Sequence, residues 1–207
     1  MKSGKPIRIC IFASGNGTNA ERIISEFRNS TEISVVLVLT GNDQAGAIHR
    51  ARNFDIPVRI LSRSGAQSSE TLNQILEDSQ ADLLVLAGYL KLIPPGTIAK
   101  YANRIVNIHP SLLPKYGGKG MYGLRVHEAV LKNREKESGI TIHFVNDHYD
   151  QGEIISQKAI VVNPNWTPEE LAAEIHLLEH KHYPGVISEI CLELLRKRKA
   201  SATRNGL

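Results

Sequence analysis

The sequence predicts an α/β fold, a doubly wound and mostly parallel sheet, from three observations. Short β-branched apolar runs alternate with segments of helical apolar spacing through the first half of the chain. Those runs are nearly continuous, as in strands covered on both faces. A glycine turn joins the first run to the first helical segment, the connection that opens a nucleotide-type βαβ unit. The N-terminal half is therefore expected to be Rossmann-like, and the C-terminal half to add strands and a long helix.

Residues 7–13 form an apolar run broken only by Arg8 and read as the first strand. After the turn Ser14-Gly15-Asn16-Gly17, residues 18–27 place Ala20, Ile23, Ile24 and Phe27 on one helical face. Residues 33–39, 56–61, 82–87 and 104–108 are the next four strands, with helices expected over 45–54 and 69–79. Beyond His109 a loop of Gly, Pro and Lys runs to Gly123, followed by a helix over 124–131 and two strands over 139–145 and 153–162. Thr167-Pro168-Glu169-Glu170 has the form of a helix start, with Thr167 as N-cap and Glu170 closing a capping box. That helix is expected to reach His182, break or kink at Pro184, and resume over 187–195.

Composition narrows the function classes. With 42% hydrophobic and 22% charged residues, the 207-residue chain is ordinary for a globular protein. The net charge of +4 is mild, and much of it lies in Arg196-Lys197-Arg198-Lys199 and Arg204, expected to be a frayed, solvated tail. No aromatic residues interleave with these bases, so nucleic acid is not an expected partner. Cys10 and Cys191 sit in apolar contexts and read as buried small hydrophobes, consistent with a reducing cytosol. No signal peptide opens the sequence and no apolar segment is long enough for a bilayer, so a cytoplasmic protein without membrane partners is expected.

In a parallel α/β sheet, ligands bind outside the carboxyl ends of the strands. The glycine turn, Gly88 and His109 all fall on that edge. Ser14 to Asn19 offer backbone N–H groups at a helix N-terminus, a phosphate cradle. Gly15, Gly17 and Ala20 also satisfy the dinucleotide fingerprint by letter count. That fingerprint wants a carboxylate at the end of strand two, where Val38, Leu39 and Thr40 stand and the first acid is Asp43. A mononucleotide or sugar phosphate is thus preferred over NAD. Asn107 and His109, two residues apart on a strand, point to one side, where an amide and an imidazole can stabilise an oxyanion and move a proton. Asp150, in a polar turn before Gln151-Gly152, is expected to pair with His109 and raise its pKa. His176, His180 and His182 cluster, but without an HExxH pattern or a nearby cysteine no metal site is expected.

Five ordered motifs resemble those of phosphoribosylglycinamide formyltransferases, the folate-dependent enzymes of purine synthesis. They are Ser14-Gly15-Asn16-Gly17-Thr18-Asn19, Leu86-Ala87-Gly88-Tyr89-Leu90, Asn107-Ile108-His109-Pro110-Ser111-Leu112-Leu113-Pro114, Gly139-Ile140-Thr141-Ile142-His143-Phe144-Val145 and Asp150-Gln151-Gly152. The resemblance spans roughly residues 7–190 and implies one formyltransferase domain over 1–207: a nucleotide-binding half over about 7–108, folate and catalytic elements over about 109–195, and the tail 196–207. It implies that Asn107, His109 and Asp150 are catalytic. Gly15, Asn16, Gly17, Thr18 and Asn19 would hold the phosphate and ribose of glycinamide ribonucleotide, with His176 and Glu179 also at the nucleotide. Leu90, Lys91, Leu92 and Ile93, with Asn107, Asn146, Asp147, His148, Tyr149 and Asp150, would line the pocket for 10-formyltetrahydrofolate. No metal is implied, the partners are small molecules, and the chain would be a monomer or homodimer.

The sequence departs from the family in two places. The loop at 116–125 is longer and richer in glycine, and the arginine that often reaches folate is absent from Ser68-Ser69-Glu70-Thr71. Other formyltransferases share the Asn, His, Asp trio, including those acting on methionyl-tRNA, on sugar nucleotides, or on formyl folate by hydrolysis. A non-catalytic nucleotide-binding module and an NAD-dependent oxidoreductase are the readings from other classes.

Overall fold

The computed structural model describes residues 5–205. Its elements follow the expected alternation: β1 (Ile7–Phe12), α1 (Thr18–Phe27), β2 (Ile33–Thr40), α2 (Gly46–Arg52), β3 (Val58–Ile60), α3 (Ser69–Asp78), β4 (Leu83–Leu86), α4 (Pro95–Lys100), β5 (Ile105–His109), α5 (Leu124–Lys132), β6 (Glu137–Phe144), β7 (Ile154–Val161) and α6 (Pro168–Asn205). A 3₁₀ turn at Gly65–Gln67 precedes α3. The helix α4 was not expected; Pro95 stands in its first turn, where the missing proline N–H costs no hydrogen bond.

One seven-stranded sheet has the order β3-β2-β1-β4-β5-β6-β7. Pairings from β3 through β5 are parallel, and β6 and β7 add antiparallel. Strand order reverses at β1, between β2 and β4, so a crevice opens beyond the carboxyl ends of β1 and β4. Alternation along β1 shows why both faces are covered. Ile7, Ile9 and Ile11 pack with α1, α2 and α6, whereas Cys10 and Phe12 pack with α3 and Tyr101. Both cysteines are free and buried, as expected.

Two expectations about α6 are corrected. The capping box forms as read, with Thr167 N–H donating to Glu170 (2.7 Å) and Glu170 N–H to the Thr167 hydroxyl (3.2 Å). Pro184, however, does not end the helix, which runs unbroken from Pro168 to Asn205. An interior proline costs roughly 3 kcal/mol. Burial of Tyr183, Val186, Ile187 and Ile190 offsets this, at roughly 1.5–3 kcal/mol for each large apolar side chain. The Tyr183 hydroxyl also shares its proton between the carbonyls of Leu86 (3.0 Å) and Val106 (3.2 Å), pinning the helix to β4 and β5. The basic tail is likewise helical rather than frayed. Arg198 binds Asp82 (2.7 Å) and the Lys5 carbonyl (3.1 Å), and Lys197 pairs with Glu193 one turn earlier (2.6 Å). Residues 206–207 of the expected tail lie outside the described residues.

Candidate active site

Four strand ends and the loops beyond them converge on the carboxyl edge. Ser14 links two of them: its N–H donates to the Gly88 carbonyl (3.1 Å), and its hydroxyl accepts from Leu90 N–H (3.3 Å). Tyr89 and Ile93 belong to the apolar cluster against which Val145 also packs.

Asn107 and His109 sit on β5 opposite His143 and Thr141 of antiparallel β6. His143 decides how the Asn107 amide is held. Its Nδ1 lies 2.8 Å from the Phe144 carbonyl, which only accepts, so Nδ1 carries the proton. In the neutral ring Nε2 is then an acceptor for the Asn107 Nδ2–H at 3.1 Å. The second Nδ2–H of Asn107 is left for another acceptor. Sequence reading missed this role. His143 lies within the motif Gly139 to Val145, but its partnership with Asn107 depends on the antiparallel register of β5 and β6.

His109 is 4% exposed. Its Nε2–H donates to the Tyr116 carbonyl (2.8 Å), and Nδ1 lies 3.5 Å from Asp150 Oδ2. Asp150 Oδ1 is 3.7 Å from His143 Nε2, and Oδ2 accepts from Gly118 N–H at 2.8 Å. The three expected catalytic side chains thus meet, joined by His143. Asp150 acts to raise the His109 pKa, as expected, but the net shift is downward. Burial disfavours the charged ring more than Asp150, the Tyr116 carbonyl and Glu179 favour it, and His143 adds to the lowering. For Asp150, burial acts upward, but donation from a protonated His143, the charge of His109 and the Gly118 N–H outweigh it and hold the carboxyl below its ordinary value.

The glycine turn ends with Gly17, the N-cap of α1, at φ +79. A Cβ there would lie 2.4 Å from Ala47 Cα, so only glycine lets α1 and α2 approach this closely. The Asn16 carbonyl accepts from Arg50 (2.9 Å), which also pairs with Glu21. Thr18 opens α1 and is half-buried. Asn19 Nδ2–H donates to Glu179 at 2.8 Å, and His176 Nδ1 lies 2.8 Å from the same carboxylate oxygen. Glu179 is buried, and its hydrogen bond raises the His176 pKa. Asn19, His176 and Glu179, distant in sequence, therefore form one cluster.

His127 on α5 was not anticipated. It is 3% exposed, its Nδ1 has no partner among the described residues, and burial pushes its pKa to about 4 against the opposing pull of Glu179. A lone histidine on an amphipathic helix carries no signal that separates it from a core residue.

Of the expected pocket-lining residues, Leu90 and Leu92 are 51% and 44% exposed, Ile93 is buried and Lys91 is half-buried. In the turn before Asp150, Asn146 accepts from His148 N–H (3.0 Å) and donates to the Gln151 carbonyl (3.1 Å), while Asp147 and His148 are exposed and Tyr149 half-buried. Among the described residues, no group of three or more His, Cys, Asp or Glu is placed to hold a metal. No helix of the described residues is long and apolar enough to cross a membrane.

A crevice at the switch point of a mostly parallel sheet, with an amide, an imidazole and a carboxylate converging beside it, defines an α/β enzyme site. The chain belongs to the formyl transferase family, whose profile matches residues 7–187. Within that family it is similar to several phosphoribosylglycinamide formyltransferases. It is 41% identical to the chloroplastic enzyme of that name from Arabidopsis thaliana, over 93% of this chain and 68% of the relative. It is 35% identical to the Bacillus subtilis enzyme, over 88% of this chain and 94% of the relative. The crystal structure of the Bacillus halodurans enzyme superposes with a TM-score of 0.79 at 38% identity, covering 88% of this chain and 94% of that one.

Proposed function

We propose that the chain transfers a formyl group from 10-formyltetrahydrofolate to the amine of glycinamide ribonucleotide, in purine biosynthesis. The products are formylglycinamide ribonucleotide and tetrahydrofolate. The observation that carries this reading is the convergence of Asn107, His109 and Asp150, with Asp150 Oδ2 3.5 Å from His109 Nδ1.

In this reading the amine attacks the formyl carbon, a C–N bond forms, and the carbonyl oxygen gains negative charge. The free Nδ2–H of Asn107 donates to that oxygen, and the positive charge of a His109 imidazolium beside it stabilises the developing anion. Asp150 orients His109 and favours its charged form. The bond from the formyl carbon to the folate nitrogen then breaks, that nitrogen takes up a proton, and the attacking amine loses one. Water-assisted transfer within reach of His109 and Asp150 balances the two. No metal is needed.

Binding follows the same edge. The turn Gly15 to Asn19 takes the phosphate and ribose, with backbone N–H groups at the α1 N-terminus offered to the anion. Glu179, buried between Asn19 and His176, engages the substrate amine. The exposed apolar side chains of Leu90 and Leu92, with the 146–150 turn, line the folate pocket.

A spectrophotometric assay of formyl loss tests this reading, run with and without glycinamide ribonucleotide. Deformylation that depends on the amine is the expected result. Deformylation without it would indicate hydrolysis instead, and no reaction with either would turn the search to other amine acceptors.

A further inference from the structure

The turn at 116–118 serves both members of the His109–Asp150 pair. The Tyr116 carbonyl accepts from His109 Nε2–H, and the Gly118 N–H donates to Asp150 Oδ2, each at 2.8 Å. Gly117 between them has no room for a side chain: a Cβ would lie 2.5 Å from Leu113 and 3.2 Å from the Asp150 Cβ. Tyr116 itself has φ +58, a left-handed conformation that residues with a Cβ rarely adopt. Something must therefore hold this turn in place.

The Tyr116 ring packs against the edge of the main core, but this packing is incomplete. A cavity of about 280 Å³ lies against the loop, lined by Leu113, Tyr116, Val130, Glu135 and Ser138 among others. The buried Ser138 hydroxyl has no partner among the described residues. The loop is held by polar struts instead. Glu135, between α5 and β6, accepts from the Tyr116 hydroxyl at 2.9 Å and from Lys115 Nζ at 2.9 and 3.2 Å. Ser111 donates to the Lys115 carbonyl at 2.7 Å.

We propose that Glu135 is a positioning residue for His109, acting through Tyr116: it holds the Tyr116 carbonyl against Nε2 and so keeps Nδ1 turned toward Asp150. The proposal rests on the reading of His109 as the proton-bearing group of the reaction. A carbonyl only accepts, so Nε2 carries a proton whenever this contact is made. With Nε2–H fixed, the ring satisfies Asp150 as well only when Nδ1 is also protonated. The turn thus fixes Nε2 as a protonated nitrogen and favours the imidazolium against the burial that opposes it, and with Gly118 it supplies a matching donor to the carboxylate.

The other groups facing the ring do not replace it. Asp150, from the β6–β7 turn, and Glu179, on α6, favour the charged ring, while burial and His143, on β6, oppose it. His127, on α5, is pushed to about 4 and is neutral at neutral pH. Removing the carbonyl takes away one of the few contributions that favour charge.

The test uses Glu135→Gln and Tyr116→Phe in the full chain, with His109→Ala alongside. Steady-state kinetics, the pH profile of kcat/KM and ¹⁵N shifts of the His109 ring are measured for each. We expect kcat to fall about tenfold with KM for both substrates within about twofold. The His109 ring titrates at lower pH, and activity is lost at correspondingly lower pH on the alkaline side. Glu135→Asp restores part of the rate, whereas Lys115→Ala, which leaves the Tyr116 hydroxyl bonded, stays within about twofold of the parent. If Glu135→Gln matches the parent in rate and ring titration while His109→Ala is inactive, the positioning role is overturned and the His109 reading survives. If His109→Ala turns over normally, both are overturned.

Discussion

The carboxamide of Asn107 lies 3.1 Å from Nε2 of His143, and that nitrogen is an acceptor because Nδ1 is committed to the Phe144 carbonyl. The histidine therefore fixes which way the amide points and which of its N–H groups remains free. Removing an oxyanion donor typically costs about 10²–10³ in kcat. His143→Ala is expected to lower kcat about 10- to 100-fold, with KM changed little. Gln at this position offers an acceptor near Nε2 and should recover part of the loss. Equal activity for Ala, Gln and His would show that the amide needs no such guide.

The pH dependence of the reaction follows from the proposed charge on His109. Its pKa is lowered by burial, and Asp150 opposes that shift. Asp150→Asn removes the opposition, so the imidazolium is lost at lower pH than in the parent. The alkaline limb of kcat/KM, which reports the free enzyme, should move to lower pH. An unshifted profile in Asp150→Asn would show that the two groups are not coupled.

His127 gives a stability prediction. Its pKa of about 4 in the folded chain lies below its ordinary 6.5. The unfolded chain then binds the proton first as pH falls. Stability from the neutral ring is complete above about pH 6.5 and is lost between there and about pH 4, amounting to about 2–3 kcal/mol by linkage. Urea denaturation at pH 7 and pH 4.5 measures it, and in His127→Gln this part of the pH dependence should vanish. The same slope in parent and variant would contradict the assignment.

Gly17 joins fold and site. With φ +79 and Ala47 Cα 2.4 Å from where a Cβ would stand, Gly17→Ala meets both strain and a clash. A loss of about 2 kcal/mol or more is expected, with weaker binding of the phosphorylated substrate. A thermal melt and a titration with glycinamide ribonucleotide check the two effects separately. Gly15→Ala, with nothing within 4 Å of its Cβ position, is the contrasting control.

How much of this was legible in the sequence depended on how local each signal was. The strand runs, the helical spacing of α1 and the capping box at Thr167 are local patterns, and each appears as read. Pro184 misled because its cost is local, whereas the burial of Tyr183 and Ile187 that offsets it is tertiary. Asn107, His109 and Asp150 stood out by motif, but the sign of the His109 shift depends on burial, which residue order does not reveal. His143 and His127 became visible only through strand register and helix packing. Asn19 and Glu179, 160 positions apart, meet because α6 lies beside α1.

The central claim is that His109 takes part in the chemistry rather than in holding the nucleotide. Turnover and glycinamide ribonucleotide affinity should be measured side by side for His109→Ala. The account predicts a rate lower by about two orders of magnitude or more, with affinity nearly unchanged. A rate close to the parent's, or a loss of binding that accounts for the whole effect, would contradict it.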